Sequence, residues 1–256
     1  VNYYAATEAE NITLEFSAPP ERSTPIKGVD LWFLDLSKIT EGDSEKFALQ
    51  LSANELEHAQ QFKKKQHHFL ATRALLRTAL SLYTDIPAQE LQIARTDEGK
   101  PFLTNAPHPI YFNLTHSGNF AVLAVTSRGE VGVDIETARN RSYLKIVERY
   151  FHPNEINYLY TSAEAQREQI FYRLWTLKEA FFKAIGTGIS TGLDKAYFSF
   201  DGNSITADFA PALNLQKNDW QFYQELIAAK TVVAVALNSA EQIQHQWFDG
   251  NSLLDK

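Results

Sequence analysis

The chain has 256 residues, a formal net charge of −7 and neither cysteine nor methionine. That length can bury a sizeable core as one large domain or two halves, and the lack of cysteine excludes a disulfide framework, a thiol nucleophile and a cysteine metal site. The acidic balance argues against a nucleic-acid footprint, and the longest apolar runs, residues 120–125 and 232–237, fall far short of a membrane span.

The N-terminal stretch lacks the basic and apolar regions of a secretory signal, so the expected location is cytoplasmic. Residues 1–27 are polar and carry three prolines, which predicts an extended arm. Residues 28–34 read as a strand. Ser52 followed by Glu55 predicts a capping box that opens a helix near residue 53. That helix, or a pair of helices, runs through Lys63, Lys64 and Lys65 and past Arg73 to about Tyr83, where Asp85-Ile86-Pro87 ends it. Residues 91–94 predict a short strand and 97–101 a turn containing Lys100. Residues 110–114 and 120–126 then predict two strands joined by a turn at Thr115-His116-Ser117-Gly118.

In residues 130–136, Val131, Val133 and Ile135 alternate with Gly132, Asp134 and Glu136, the pattern of a half-buried strand. Asp134 and Glu136 share a face with Cα atoms about 6–7 Å apart, a spacing that suits a hard divalent cation completed by water and phosphate oxygens. A solvated acidic strand face reads the same way.

Residues 170–185 predict a helix, because Ile170, Phe171, Leu174, Trp175, Phe181, Phe182 and Ile185 recur at helical spacing. Lys178 falls near the middle of that apolar arc, where an ammonium must snorkel out or be held by an anion. Glu179 and Lys183 lie at its edge, either lining a cleft or forming an exposed pair worth about 0.3–0.5 kcal/mol. Residues 186–192 follow a helix and read as a cap and loop, not a phosphate cradle. Residues 197–240 read as strands and 241–256 as a short helix with a frayed end.

Three short echoes recur in the same order. Residues 28–31 match 132–135, residues 54–56 match 154–156, and residues 121–127 match 233–239. They predict an α+β fold of two similar α/β halves related by a pseudo-twofold duplication, 1–129 and 130–256, with the active site at their interface.

Gly132-Val133-Asp134-Ile135-Glu136 and Trp175-Thr176-Leu177-Lys178-Glu179-Ala180-Phe181-Phe182-Lys183 together resemble the two signatures of the Sfp-type 4′-phosphopantetheinyl transferases. The resemblance covers roughly residues 50–240. It implies transfer of the 4′-phosphopantetheine arm of coenzyme A to a serine of an acyl or peptidyl carrier protein, with Mg²⁺ or Mn²⁺, releasing adenosine 3′,5′-bisphosphate. The pathway served, whether fatty acid, polyketide or peptide synthesis, stays open.

By the same resemblance, Asp134, Glu136 and Glu179 would hold the metal, and Lys178 and Lys183 would pair with phosphate oxygens. Glu155 matches the proposed general base, although a helix N-terminus also favours an acid and a metal-bound water could take the proton. Lys100 and Thr115 match phosphate contacts, threonine standing where the family has serine. Arg73 and His116 fall where the family grips the 3′-phosphate of coenzyme A. Arg139, Arg141 and Lys145 are candidates for a carrier-facing patch. Two halves in one chain would allow a monomer. A nucleotidyl or acyl transferase using coenzyme A and a non-catalytic coenzyme A or carrier-protein binding module are the competing readings, and the complete set of Asp134, Glu136, Lys178, Glu179 and Lys183 speaks against the module.

Overall fold

Two three-stranded antiparallel units with matching strand order form the halves, and each carries one long helix. The computed structural model describes residues 14–138, 143–188, 192–202, 204–228, 230–242 and 244–255. Arg139, Arg141 and residues 1–13 and 189–191 lie outside the described residues.

In the first half β1 (Val29–Asp35) pairs with β5 (Phe120–Thr126), which pairs with β4 (Tyr111–Ser117). Helices α1 (Ser44–Ala48), α2 (Ala53–Ala59) and α3 (Gln66–Thr84) precede the small hairpin of β2 (Ile93–Arg95) and β3 (Pro101–Leu103). The predicted capping box is present: Ser52 and Glu55 satisfy each other's backbone N–H groups at the start of α2. Lys65 adopts a left-handed conformation, with φ of 55°, and divides α2 from α3, so the three lysines lie between the helices. Helix α3 buries Ala71, Ala74, Leu75 and Leu80 against Trp32 and Leu34 of β1 and Leu123 of β5.

In the second half β6 (Val131–Thr137) pairs with β10 (Thr231–Asn238), which pairs with β9 (Trp220–Ala228). Helices α4 (Leu144–Tyr150), α5 (Pro153–Thr161) and α6 (Glu164–Ile185) and the hairpin of β7 (Ala196–Asp201) and β8 (Ser204–Phe209) cover one face. The orders β1-β5-β4 and β6-β10-β9 match the echoes in the sequence. The two sheets meet through Val29, Leu31, Val122 and Ala124 on one side and Val131, Val133, Ile135, Val233 and Val235 on the other. This apolar seam holds the halves together by burial.

Two expectations are corrected. Strand β6 is buried on both faces through Ile135 rather than half-exposed, because α6 lies directly on Gly132. A Cβ at that position would fall 2.5 Å from Ala184 N and closer still to Ala180 O. The chain also does not divide into 1–129 and 130–256. Strand β11 (His245–Asp249) returns to pair in parallel with β1, and α7 (Gly250–Leu254) packs Leu253 and Leu254 into the first core. Without it the outer edge of β1 would be an open row of backbone groups. Phe248 stacks on Trp32 at 4.8 Å between ring centroids. Among the described residues no helix is long and apolar enough to cross a membrane.

Candidate active site

Among the described residues the outer edge of β6 has no strand partner, and side chains of β4 and α6 cover it instead. Val133 N donates to Asn113 Oδ1 at 3.0 Å, Ser117 Oγ donates to Glu136 Oε2 at 3.1 Å, and Thr115 Oγ1 donates to Asp134 Oδ1 at 3.2 Å. Strand β4 therefore runs on through Ser117 where a turn was expected, and the turn is Gly118-Asn119. Strand alternation sends Thr115 and Ser117 into the seam and His116 to the opposite, exposed face. Asn113 was not singled out from the sequence, and Ser117 only as part of the expected turn, although the alternating polar row Asn113, Thr115, Ser117 in an apolar strand was the signal for both.

From α6, Lys183 reaches the same place. Its Nζ donates to Asp134 Oδ1 at 2.5 Å, Thr115 Oγ1 at 3.0 Å and Val133 O at 3.3 Å. Asp134, 5% exposed, has a second oxygen, Oδ2, with no hydrogen-bond partner, and Glu179 Oε1 is likewise unpartnered. Burial pushes the Asp134 carboxyl up to about 6, against the pull of Lys183. Burial, then the charge of Asp134, pushes Glu179 up to about 7.

The duplication supplies an internal comparison. Asp30, the echo of Asp134, is also buried, but Tyr83 OH donates to its Oδ2 at 2.8 Å and Gln246 Nε2 to its Oδ1 at 2.9 Å. The first half has closed its carboxylate with protein donors, whereas the second half leaves one oxygen of Asp134 bare. A buried acceptor without a partner is costly unless a ligand completes it. Among the described residues no three acidic or histidine side chains converge into a ready-made metal cluster. The donor set still fits a hard divalent cation, with carboxylates only, two bare buried oxygens and hydroxyls behind them.

The structure sets Glu155 and Lys178 apart from this seam. Lys178 Nζ is fully buried and donates to Glu155 Oε2 at 2.7 Å, Leu193 O at 2.9 Å and Ala196 O at 2.5 Å, which uses all three of its N–H bonds. Glu155 also accepts from Phe198 N and His152 N, both at 2.9 Å. The anion that holds the lysine in its apolar arc is therefore internal, not a phosphate. The expected base and phosphate ligand instead tie α6 to α5 and to the start of β7. Burial pushes Glu155 up and Lys178 down, each charge opposing the shift of the other.

Lys100 is likewise engaged within the protein, donating to Glu130 and to the carbonyl of Ala184 at the end of α6, so it joins the halves. It adjoins a cleft of about 630 Å³ lined by Pro101, Phe102, Pro109 and Tyr111. Arg73 lies over the Phe69 ring at 5.7 Å, its guanidinium lowered by burial and by Arg95 and Arg77 against the pull of Glu55. His116 lies near Lys65, His67 and His68 around the start of α3, and burial, followed by the neighbouring His67, Lys65 and His116, pushes His68 down. Lys145 is exposed on α4.

Comparison with known proteins places the chain in a family. Residues 41–128 match the model described as 4′-phosphopantetheinyl transferase, N-terminal, and residues 130–236 match that of the 4′-phosphopantetheinyl transferase superfamily. The 4′-phosphopantetheinyl transferase HetI of Nostoc sp. (strain PCC 7120) is 34% identical over 177 residues, 67% of this chain and 74% of that one. The Synechocystis sp. transferase candidate slr0495 is 37% identical over 149 residues, 57% of this chain. The match spans less than two thirds of that relative's length, at 61%. A solved holo-(acyl-carrier-protein) synthase from Bacillus anthracis, in complex with CoA, aligns at 27% identity and a TM-score of 0.33, over 40% of this chain and 96% of that one. With both family models matched in order and a relative at 34% identity spanned over 74% of its length, the chain belongs to the 4′-phosphopantetheinyl transferase superfamily.

Proposed function

We propose that the protein is an enzyme that transfers the 4′-phosphopantetheine group of coenzyme A to a serine hydroxyl of an apo acyl or peptidyl carrier protein, in an Mg²⁺-dependent reaction. The serine oxygen forms a bond to the β-phosphorus of coenzyme A. The bond from that phosphorus to the bridging oxygen breaks, and adenosine 3′,5′-bisphosphate leaves. One observation carries the reading: a bare, buried oxygen on Asp134, beside Glu136, Glu179 and the ammonium of Lys183, at the seam between the halves.

Asp134, Glu136 and Glu179 would hold the metal, whose charge supports the negative diphosphate. Lys183 supplies a second positive charge to the phosphate oxygens, and Thr115 and Ser117 orient the carboxylates through hydroxyl donors. His116 and Arg73, with Lys65 at the start of α3, suit the 3′-phosphate. Glu155 acts here by fixing α6, and the serine proton passes to solvent. Both halves of the site come from one chain, which supports a monomer.

The test is the intact mass of an apo carrier protein after incubation with this protein, coenzyme A and Mg²⁺. Gain of one phosphopantetheine, abolished by EDTA and by D134A, is the expected result. No gain across acyl and peptidyl carriers, with coenzyme A still bound, overturns the transferase reading in favour of a binding module. Acyl transfer from an acyl-coenzyme A in the presence of EDTA overturns it in favour of an acyltransferase.

A further inference from the structure

One bond in the site blocks two functions at once. Lys183 Nζ spends its three donors on Asp134 Oδ1, Thr115 Oγ1 and Val133 O, so in this arrangement it has none left for a phosphate. Asp134, in turn, has one oxygen neutralised by that ammonium and by Thr115, while only Oδ2 is bare. A divalent cation arriving at Asp134 would meet a positive charge already seated on it. Freeing Lys183 and freeing Asp134 are therefore the same event.

We infer that Lys183 is a place-holding cation, competing with the divalent metal for Asp134 until the diphosphate of coenzyme A draws the ammonium away, so that metal and coenzyme bind cooperatively through this one side chain. The inference rests on the metal-dependent reading proposed above. Its physical basis is charge exchange. Without ligands, Lys183 offsets a carboxylate that burial makes costly to leave charged and unpaired. With both ligands, the diphosphate takes the ammonium and the metal takes the carboxylate, so each charge remains paired. The side chain is 29% exposed, which leaves it room to swing from one anion to the other. The coupling is reciprocal: the factor by which coenzyme A tightens the metal equals the factor by which the metal tightens coenzyme A.

The experiment is a titration of free Mn²⁺ by electron paramagnetic resonance against wild type, K183M and K183R, with and without coenzyme A and with no carrier protein present. Without coenzyme A, K183M is expected to bind Mn²⁺ about tenfold tighter than wild type, and K183R to stay within about twofold of it. Coenzyme A is expected to tighten Mn²⁺ more in wild type than in K183M. Thermal melts confirm that each variant is folded, and K183Q replaces K183M should the latter fail to fold. Equal or weaker Mn²⁺ binding by the folded methionine or glutamine variant without coenzyme A overturns the inference and leaves the metal site standing. No Mn²⁺ binding by any form, with or without coenzyme A, overturns the inference and the metal-dependent reading together.

Discussion

Lys178 Nζ lies 2.7 Å from Glu155 Oε2, and neither side chain reaches solvent. Removing one partner leaves the other charged, buried and unpaired. E155Q and K178M should therefore each lower stability by about 3–5 kcal/mol. The joint apolar variant E155L/K178M should lose much less than their sum, because no charge is left behind. Guanidinium denaturation of the three variants measures this. Activity per folded molecule should fall little in E155Q. A large loss of turnover in an E155Q variant of unchanged stability would return Glu155 to the role of general base.

Gly132 lets α6 sit on β6 closely enough to bring Lys183 to Asp134. A methyl group there would press on the backbone of Ala180 and Ala184, which no rotamer change can relieve. G132A should destabilise by about 1–3 kcal/mol and reduce phosphopantetheine transfer by more than the unfolded fraction explains. Melting temperature and carrier-protein mass shift, measured on the same sample, separate the two effects.

Asp134 and Glu179 titrate near 6 and 7 in the fold, above their ordinary values of 3.8 and 4.5. Between those limits the folded state holds more protons than the unfolded chain, so these groups favour folding at low pH and lose that contribution as pH rises. The metal-free protein should therefore melt at a progressively lower temperature, relative to a D134N/E179Q variant, from about pH 4 to about pH 7. Metal affinity should rise across the upper part of the same window as the ligands lose their protons. A difference in melting temperature that is flat or reversed in sign would show that these carboxyls are not held up by burial.

Strand β11 and helix α7 complete the first half from the far end of the chain. Trp247, Phe248, Leu253 and Leu254 are all buried there, each worth about 1.5–3 kcal/mol of transfer free energy. That total is comparable with the whole stability of an ordinary domain, about 5–15 kcal/mol. Deletion of residues 245–255 should give insoluble or unfolded protein by circular dichroism, rather than a folded enzyme with a trimmed end.

The sequence by itself determined whatever depends on near neighbours. Strand alternation placed Asp134 and Glu136 on one face, helical spacing placed Lys178 in an apolar arc, the Ser52–Glu55 capping box marked the start of α2, and ordered echoes announced the duplication. Each follows from a period or a cap that spans a few residues. Only the tertiary structure decided which charges meet. That Lys178 takes Glu155 as its anion, that Lys183 rests on Asp134, that Lys100 ties Glu130 to the end of α6, and that β11 returns to β1 are all contacts between segments distant in sequence. Periodicity states which face a side chain occupies, but the partner on that face is chosen by how whole elements pack to bury apolar surface and satisfy their buried polar atoms.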